Sequence, residues 1–180
     1  MGQRMRREEF YLWAEAQSRG RFERVHGEVI AMSPERWEHA LVKINVFKAI
    51  EKALAAAGSD CVTVPDGMTV EIDDDTDFEP DAAIHCGNPI PRKSLSIPNP
   101  VVVVEVISPS SARVDTRVKR EMYFRVPSIQ HYLIVRADRC EATHYTRGED
   151  DQAVLVATLS EGHLALSPPG ITVEVADFYA

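Results

Sequence analysis

Apolar positions recur along this chain with two periods, one helical and one alternating, and the switches between them mark its elements. Residues 5–18 have helix-forming composition and stop at Gly20, a residue suited to ending a helix. Residues 21–25 and 28–32 flank His26-Gly27, which predicts a short strand pair around a turn. From Ser33-Pro34 onward, Trp37, Leu41, Ile44, Phe47, Ile50 and Leu54 keep a helical spacing down to Gly58. Ser33 is the candidate cap of that helix and Pro34 suits its first position. Strands are expected at 60–64, 68–72, 81–85 and 101–107, with Pro89, Pro91, Pro98 and Pro100 marking a loop between the last two. A helix at 111–125, capped by Ser110 or Ser111, then precedes strands at 131–135, 142–145 and 154–159. No segment repeats. The order predicts an α+β (α/β-like) fold with a mixed central sheet flanked by helices, in a single domain spanning residues 1–180.

Composition narrows the class without naming a function. With 44% hydrophobic and 27% charged residues, 9 Gly and 11 Pro, the chain is an ordinary globular domain, not a disordered, collagenous or disulfide-scaffold one. Cys61, Cys86 and Cys140 are odd in number and lack a Cys-x-x-Cys pair, so they read as reduced, buried thiols. The amino-terminal stretch has charge but no apolar run behind it, and no run approaches about 18 apolar residues, so a soluble, cytoplasmic protein with no membrane partner is expected. The net charge of −8 argues at first against a polyanion partner. Seven of the 28 acids, however, lie between Glu71 and Asp81, and the other 21 nearly balance the 20 Lys and Arg. Between Arg113 and Arg125 five bases face only Asp115 and Glu121, a modest basic patch.

One residue is chemically out of place. Pro100-Val101-Val102-Val103-Val104-Glu105-Val106-Ile107 has the pattern of a central strand covered on both faces, and a carboxylate taken out of water there costs several kcal/mol or more unless it is paired, protonated or metal-bound. Strand parity groups Glu105 with Val101, Val103 and Ile107. Glu105 is thus either a buried ion-pair member or an acid at a polar cleft. Asp81, at the strand start after Pro80, is either a turn residue or its partner in a hard-oxygen site for Mg²⁺, an ion that polarises phosphodiesters and activates water. In the later helix Val114, Val118, Met122 and Val126 recur at four and face the sheet, with Asp115, Lys119 and Tyr123 on the adjacent strip. Lys119 either pairs with Asp115 along the helix or delivers its ammonium to the cleft.

Taken in order, the segment from Arg24 to Pro34 (RVHGEVIAMSP), His39, Pro80-Asp81, Val104 to Ser110 (VEVISPS), Asp115, Lys119 and Tyr123 resembles the Uma-type family of restriction endonucleases, similar in fold to the PD-(D/E)XK nuclease superfamily. The resemblance runs from about Phe22 to the carboxyl terminus. It implies a restriction-endonuclease-like core and Mg²⁺-dependent hydrolysis of DNA, with Mn²⁺ as a substitute. Asp81 and Glu105 become the motif acids and metal ligands, with the Val106 main-chain carbonyl as a further ligand. The superfamily's lysine normally lies two residues after the second acid, where this chain has Ile107, and Lys119 is the substitute. Glu28 is either a supporting acid or an exposed turn charge. His39 reads as a structural histidine ahead of a general base. Asp115 and Tyr123 complete the supporting set.

Other motifs carry less. Asp73-x-Asp75-x-Asp77 has Phe78 where a calcium loop needs Gly, so a solvated acidic loop is expected. Ser108 to Ser111 lacks a nucleophile elbow. Strand edges and apolar residues such as Phe178-Tyr179 leave room for a homodimer able to address both strands of a duplex. The competing reading is a catalytically inactive scaffold of the same fold that binds nucleic acid or protein.

Overall fold

A computed structural model describes residues 4–108, 116–148 and 154–180. The first half contains α1 (Arg7–Glu15), β1 (Phe22–Val25), β2 (Glu28–Ala31), α2 (Trp37–Ala56), β3 (Val62–Pro65), β4 (Val70–Asp73), β5 (Thr76–Phe78) and β6 (Ala82–His85). The second contains β7 (Pro100–Ile107), α3 (Thr116–Tyr123), β8 (His131–Arg136), β9 (Ala142–Arg147), β10 (Val154–Leu159), β11 (His163–Leu166), β12 (Ile171–Glu174) and a 3₁₀ turn (Val175–Phe178).

The predicted mixed sheet is present, with six strands in the order β10-β9-β8-β7-β6-β3. β7 and β8 are its parallel pair and the other neighbours are antiparallel. A parallel pair needs a crossover long enough to carry a helix, and α3 lies in that connection. Alternation along β7 sends Val102, Val104 and Val106 to one face, where they meet Val42, Val46, Ile50 and Leu54 of α2 and Phe178. Val103 points to the other face, against Tyr132, Ile134, Phe78 and the α3 residues Met122 and Tyr123. Val101 joins the first cluster instead of following the predicted parity, because the β6–β7 register slips between Ile84 and His85. A second sheet, β2-β1-β5-β4, brings the amino-terminal hairpin over the second face.

Several expectations are corrected where polar partners lie inside. α2 begins at Trp37 with Arg36 at the cap position, not at Ser33-Pro34. Its buried face holds Val42, Val46, Ala49, Ile50 and Leu54, while Trp37 (74% exposed), Leu41 and Ile44 face outward. The helix is turned because Lys43 finds carboxylates and Asn45 donates to the Ala180 carbonyl at 2.8 Å. In α3 the buried residues are Lys119, Met122 and Tyr123, and Val118 is exposed. The acidic segment is not a solvated loop. β4 and β5 form a hairpin, and Asp77 is buried where Arg24 Nε donates to its Oδ2 at 2.6 Å and Arg7 Nε to its Oδ1 at 2.8 Å.

The thiols and the carboxyl terminus also differ from expectation. Val62 pairs with His85 across β3 and β6, so Cys61 and Cys86 fall opposite one another with Cα atoms 4.4 Å apart and form a disulfide. Separation in sequence hid a cross-strand pair of the narrow kind. Cys140 is free but exposed. Phe178 is core, and the Tyr179 hydroxyl donates to the carbonyls of Arg136 and Glu141 at 2.9 and 3.0 Å, so neither is a spare apolar surface. Among the described residues no helix is long and apolar enough to cross a membrane. The Ser110 and Ser111 caps lie outside the described residues.

A histidine pair, His131 buried and His144 partly so, links β8 and β9. His131 Nε2 accepts the Ser167 N–H at 2.9 Å, which assigns the proton to Nδ1, and Nδ1–H donates to His144 Nε2 at 2.9 Å. Protonating His144 sets two N–H groups against each other. Burial first, and then His131, push its pKa from 6.5 down to about 4. The unfolded chain therefore takes up this proton at a higher pH than the folded one. The stabilisation is complete above pH 6.5 and declines as pH falls toward 4. Urea denaturation from pH 7 to 4 should show a stability loss in the parent that is smaller in His144→Gln.

Candidate active site

The β6–β7 ladder ends at the pair Ala82–Val104, and Asp81 and Glu105 are the residues just beyond it on the two strands. Pro80 leads into the strand with no backbone N–H to leave unpaired. The Asp81 N–H donates to the Val104 carbonyl at 3.0 Å, and its Oδ2 accepts the Val106 N–H at 2.7 Å. Its position is thus fixed by the backbone of the strand it faces. Asp81 and Glu105 are 6% and 8% exposed, yet both line a cavity of about 430 Å³. The cavity opens where β7 ends, among the β1–β2 hairpin, the first turn of α2 and the start of α3.

Two ammonium groups flank the acid pair. Lys119 Nζ donates to Glu105 Oε1 at 2.9 Å and to Glu23 Oε1 at 2.8 Å, with the Tyr123 hydroxyl donating to the same Glu105 oxygen at 2.7 Å. Lys43 Nζ lies 2.9 Å from Asp81 Oδ1 and donates to Glu35 Oε1 at 2.7 Å and Asp66 Oδ2 at 2.6 Å. Arg21 extends this network to Glu35 and Asp66, at 3.0 and 2.9 Å, and to Glu79. His39 Nε2 donates to the Val106 carbonyl at 2.6 Å. Six carboxylates, those of Glu23, Glu35, Asp66, Glu79, Asp81 and Glu105, thus share three cationic side chains among the described residues.

Protonation follows from that imbalance. Burial alone would lower the Lys119 ammonium, but the charges of Glu105 and Glu23 outweigh it and hold the group above the ordinary lysine value. Lys43 is raised in the same way, chiefly by Asp81 against its own burial. Burial and then the charge of Glu105 push the Asp81 carboxyl upward, opposed by Lys43 and the Val106 N–H. Tyr123 is raised well above 10.0 by burial and by Glu105, so its hydroxyl stays a donor.

The donor set suits a hard divalent ion. The hydrogen bonds of Glu105 with described residues fall on Oε1 and none of them on Oε2. Among the described residues no three His, Cys, Asp or Glu side chains cluster as a cage. Two carboxylates without such a cage match Mg²⁺, which keeps several waters and takes oxygens from its substrate. They do not match a closed zinc site.

Of the residues expected at this site, Asp81, Glu105, Lys119, Tyr123 and His39 come together. The Val106 carbonyl lies beside them, accepting from His39. Glu28 does not join them: it is exposed at the turn end of the hairpin, 4.0 Å from Arg4. Asp115 lies outside the described residues. Glu23, Glu35, Lys43 and Asp66 went unnoticed in the sequence. Glu23 carried little signal, being one of several charges near a hairpin. Lys43 carried more, as a lone cation in the run Leu41-Val42-Lys43-Ile44.

A mixed sheet with an acid pair and an ammonium at the end of its central strand defines a restriction-endonuclease-like domain. The chain belongs to the Uma2 family, described as "Putative restriction endonuclease", whose model matches residues 7–176. Two proteins of Synechocystis sp. are similar in sequence, slr1290 at 28% identity over 96% of this chain and 90% of its own length. The other, sll1609, is 24% identical over 84% of this chain and 86% of its own. The fold is similar to the crystal structure of "a putative nuclease belonging to DUF820" from Anabaena variabilis, with a TM-score of 0.72, 14% identity and 97% of each chain covered.

The hydroxyl that fixes Glu105 provides a direct test of this packing. Tyr123→Phe keeps the ring against Phe78 and Tyr132 but removes a hydrogen bond to a carboxylate, worth about 1.5–3 kcal/mol. Urea denaturation should show a loss of that size with an unchanged m value.

Proposed function

We propose that this protein is a divalent-metal-dependent nuclease that hydrolyses DNA phosphodiester bonds at the cavity where β7 ends. The observation that carries this reading is that Asp81 and Glu105 line one cavity, among six carboxylates that share three cationic side chains among the described residues. Such a surplus of negative charge repels phosphate until a cation enters. Asp81 and Glu105 would hold Mg²⁺, or Mn²⁺ in its place, with the Val106 carbonyl as a further oxygen donor. Bound there, the metal supplies Lewis-acid polarisation of the phosphodiester and an activated water.

The chain's own groups prepare the site. The Val106 N–H fixes one oxygen of Asp81, and His39 fixes the carbonyl of the same peptide residue. Tyr123 and Lys119 fix Oε1 of Glu105. Lys119 remains protonated, which suits it to stabilise charge developing on phosphate and not to accept a proton. Its placement answers the absence of a lysine at Ile107, since α3 delivers the ammonium from across the cleft.

A cleavage assay on DNA with Mg²⁺ or Mn²⁺ tests this reading. Asp81→Asn and Glu105→Gln should each lower the rate by about 100-fold or more, a scale set by the loss of groups that stabilise transition-state charge. Lys119→Met should lower it comparably while leaving Mn²⁺ binding measurable. Absence of metal-dependent cleavage across duplex and single-stranded substrates, or equal cleavage by the parent and both acid variants, would contradict the reading and leave the inactive-scaffold alternative.

A further inference from the structure

Lys43 has no counterpart in the motif that identified the two acids, yet it touches one of them. It comes from the middle of α2, is 7% exposed, and brings its ammonium within 2.6–2.9 Å of three carboxylates. The contacts are unequal. Asp66 Oδ2 and Glu35 Oε1 accept its hydrogen bonds at 2.6 and 2.7 Å, while Asp81 Oδ1 lies at 2.9 Å. Asp81 meanwhile has an independent hold on its other oxygen from the Val106 N–H. Separating Asp81 from Lys43 would therefore leave neither group bare: the ammonium keeps two acceptors and the carboxylate keeps a donor.

We propose that Lys43 is a built-in counter-ion for Asp81 in the metal-free protein, and that it yields Asp81 Oδ1 to an incoming divalent cation while Glu35 and Asp66 retain it. The inference rests on the reading of Asp81 as a metal ligand. A buried carboxylate facing Glu105 needs a positive charge in the absence of metal, and α2 supplies one covalently. The same device makes metal binding a displacement. The cation must compete with an ammonium for one ligand oxygen, so Lys43 sets the metal affinity without itself ligating the ion. Arg21 provides the internal control: it carries the same charge and contacts Glu35, Asp66 and Glu79, but none of its ion pairs includes Asp81.

Calorimetric titration of the full chain with MnCl₂ separates the possibilities, comparing the parent with Lys43→Met, Arg21→Met and Asp81→Asn. Lys43→Met should bind Mn²⁺ about tenfold or more tightly than the parent, on the scale by which groups around a ligand tune metal affinity, and Arg21→Met should change it several-fold less. Thermal melts give a second readout. The Lys43→Met variant should melt lower than the parent without metal and gain more from saturating Mn²⁺. Lys43→Gln serves the same purpose if the methionine variant does not fold. Parent-like or weaker Mn²⁺ binding in a folded Lys43 variant, with the parent binding measurably and Asp81→Asn not, overturns the counter-ion role and leaves the metal-site reading intact. An equal gain in Arg21→Met reduces the effect to net charge and also overturns it. No Mn²⁺ binding by the parent and by the Lys43 variants removes the metal-site reading, and the inference falls with it.

Discussion

Two carboxylates held face to face inside a protein must be matched by positive charge, and the rest of this site follows from that requirement. The end of the β6–β7 ladder brings Asp81 and Glu105 to one cavity, and the flanking residues take both out of bulk water. Lys119 reaches one acid from α3 and Lys43 the other from α2. Truncating either lysine leaves a buried carboxylate without its cation, a change that costs on the order of 3–5 kcal/mol in comparable settings. The acids are consequently among the most constrained residues of the fold, although they contribute nothing to the apolar core.

The constraint is transmitted through a single residue of β7 and its neighbours. Val106 gives its N–H to Asp81 and its carbonyl to His39, so the second acid's strand, the first acid and α2 are tied at one residue. Glu23 serves the opposite side, sharing its Oε1 between Lys119 and the Glu79 N–H. The β1–β2 hairpin thereby closes over the cavity through charge and not only through apolar packing. Preorganisation of this kind matters for phosphoryl chemistry, where positioning and electrostatics supply nearly all the acceleration a protein can give.

Much of the architecture was legible because it is written in local patterns. The β-branched run ending in Val104-Glu105-Val106-Ile107 stated both a central strand and its anomaly, and the Pro80-Asp81 junction stated where a second acid would enter a strand. The family resemblance then joined the two. What was not legible depends on tertiary pairing. The inward turn of α2 reverses the reading of Trp37, Leu41 and Ile44, because apolar spacing cannot show that Lys43 and Asn45 have buried partners waiting. Glu23 and Asp66 acquire meaning only when β1 and the β3–β4 connection bring them to Lys119 and Lys43. Cys61 and Cys86 meet only through the β3–β6 register.

The proposed function requires the two acids to share a cation. A crystal structure of the protein soaked in MnCl₂, with anomalous diffraction data collected for manganese, addresses it most directly. The expected result is a single anomalous peak between Asp81 and Glu105, with the Lys43 ammonium withdrawn onto Glu35 and Asp66. Density at other positions only, or an unaltered Lys43–Asp81 contact with the space beside Glu105 filled by water at saturating metal, would contradict it.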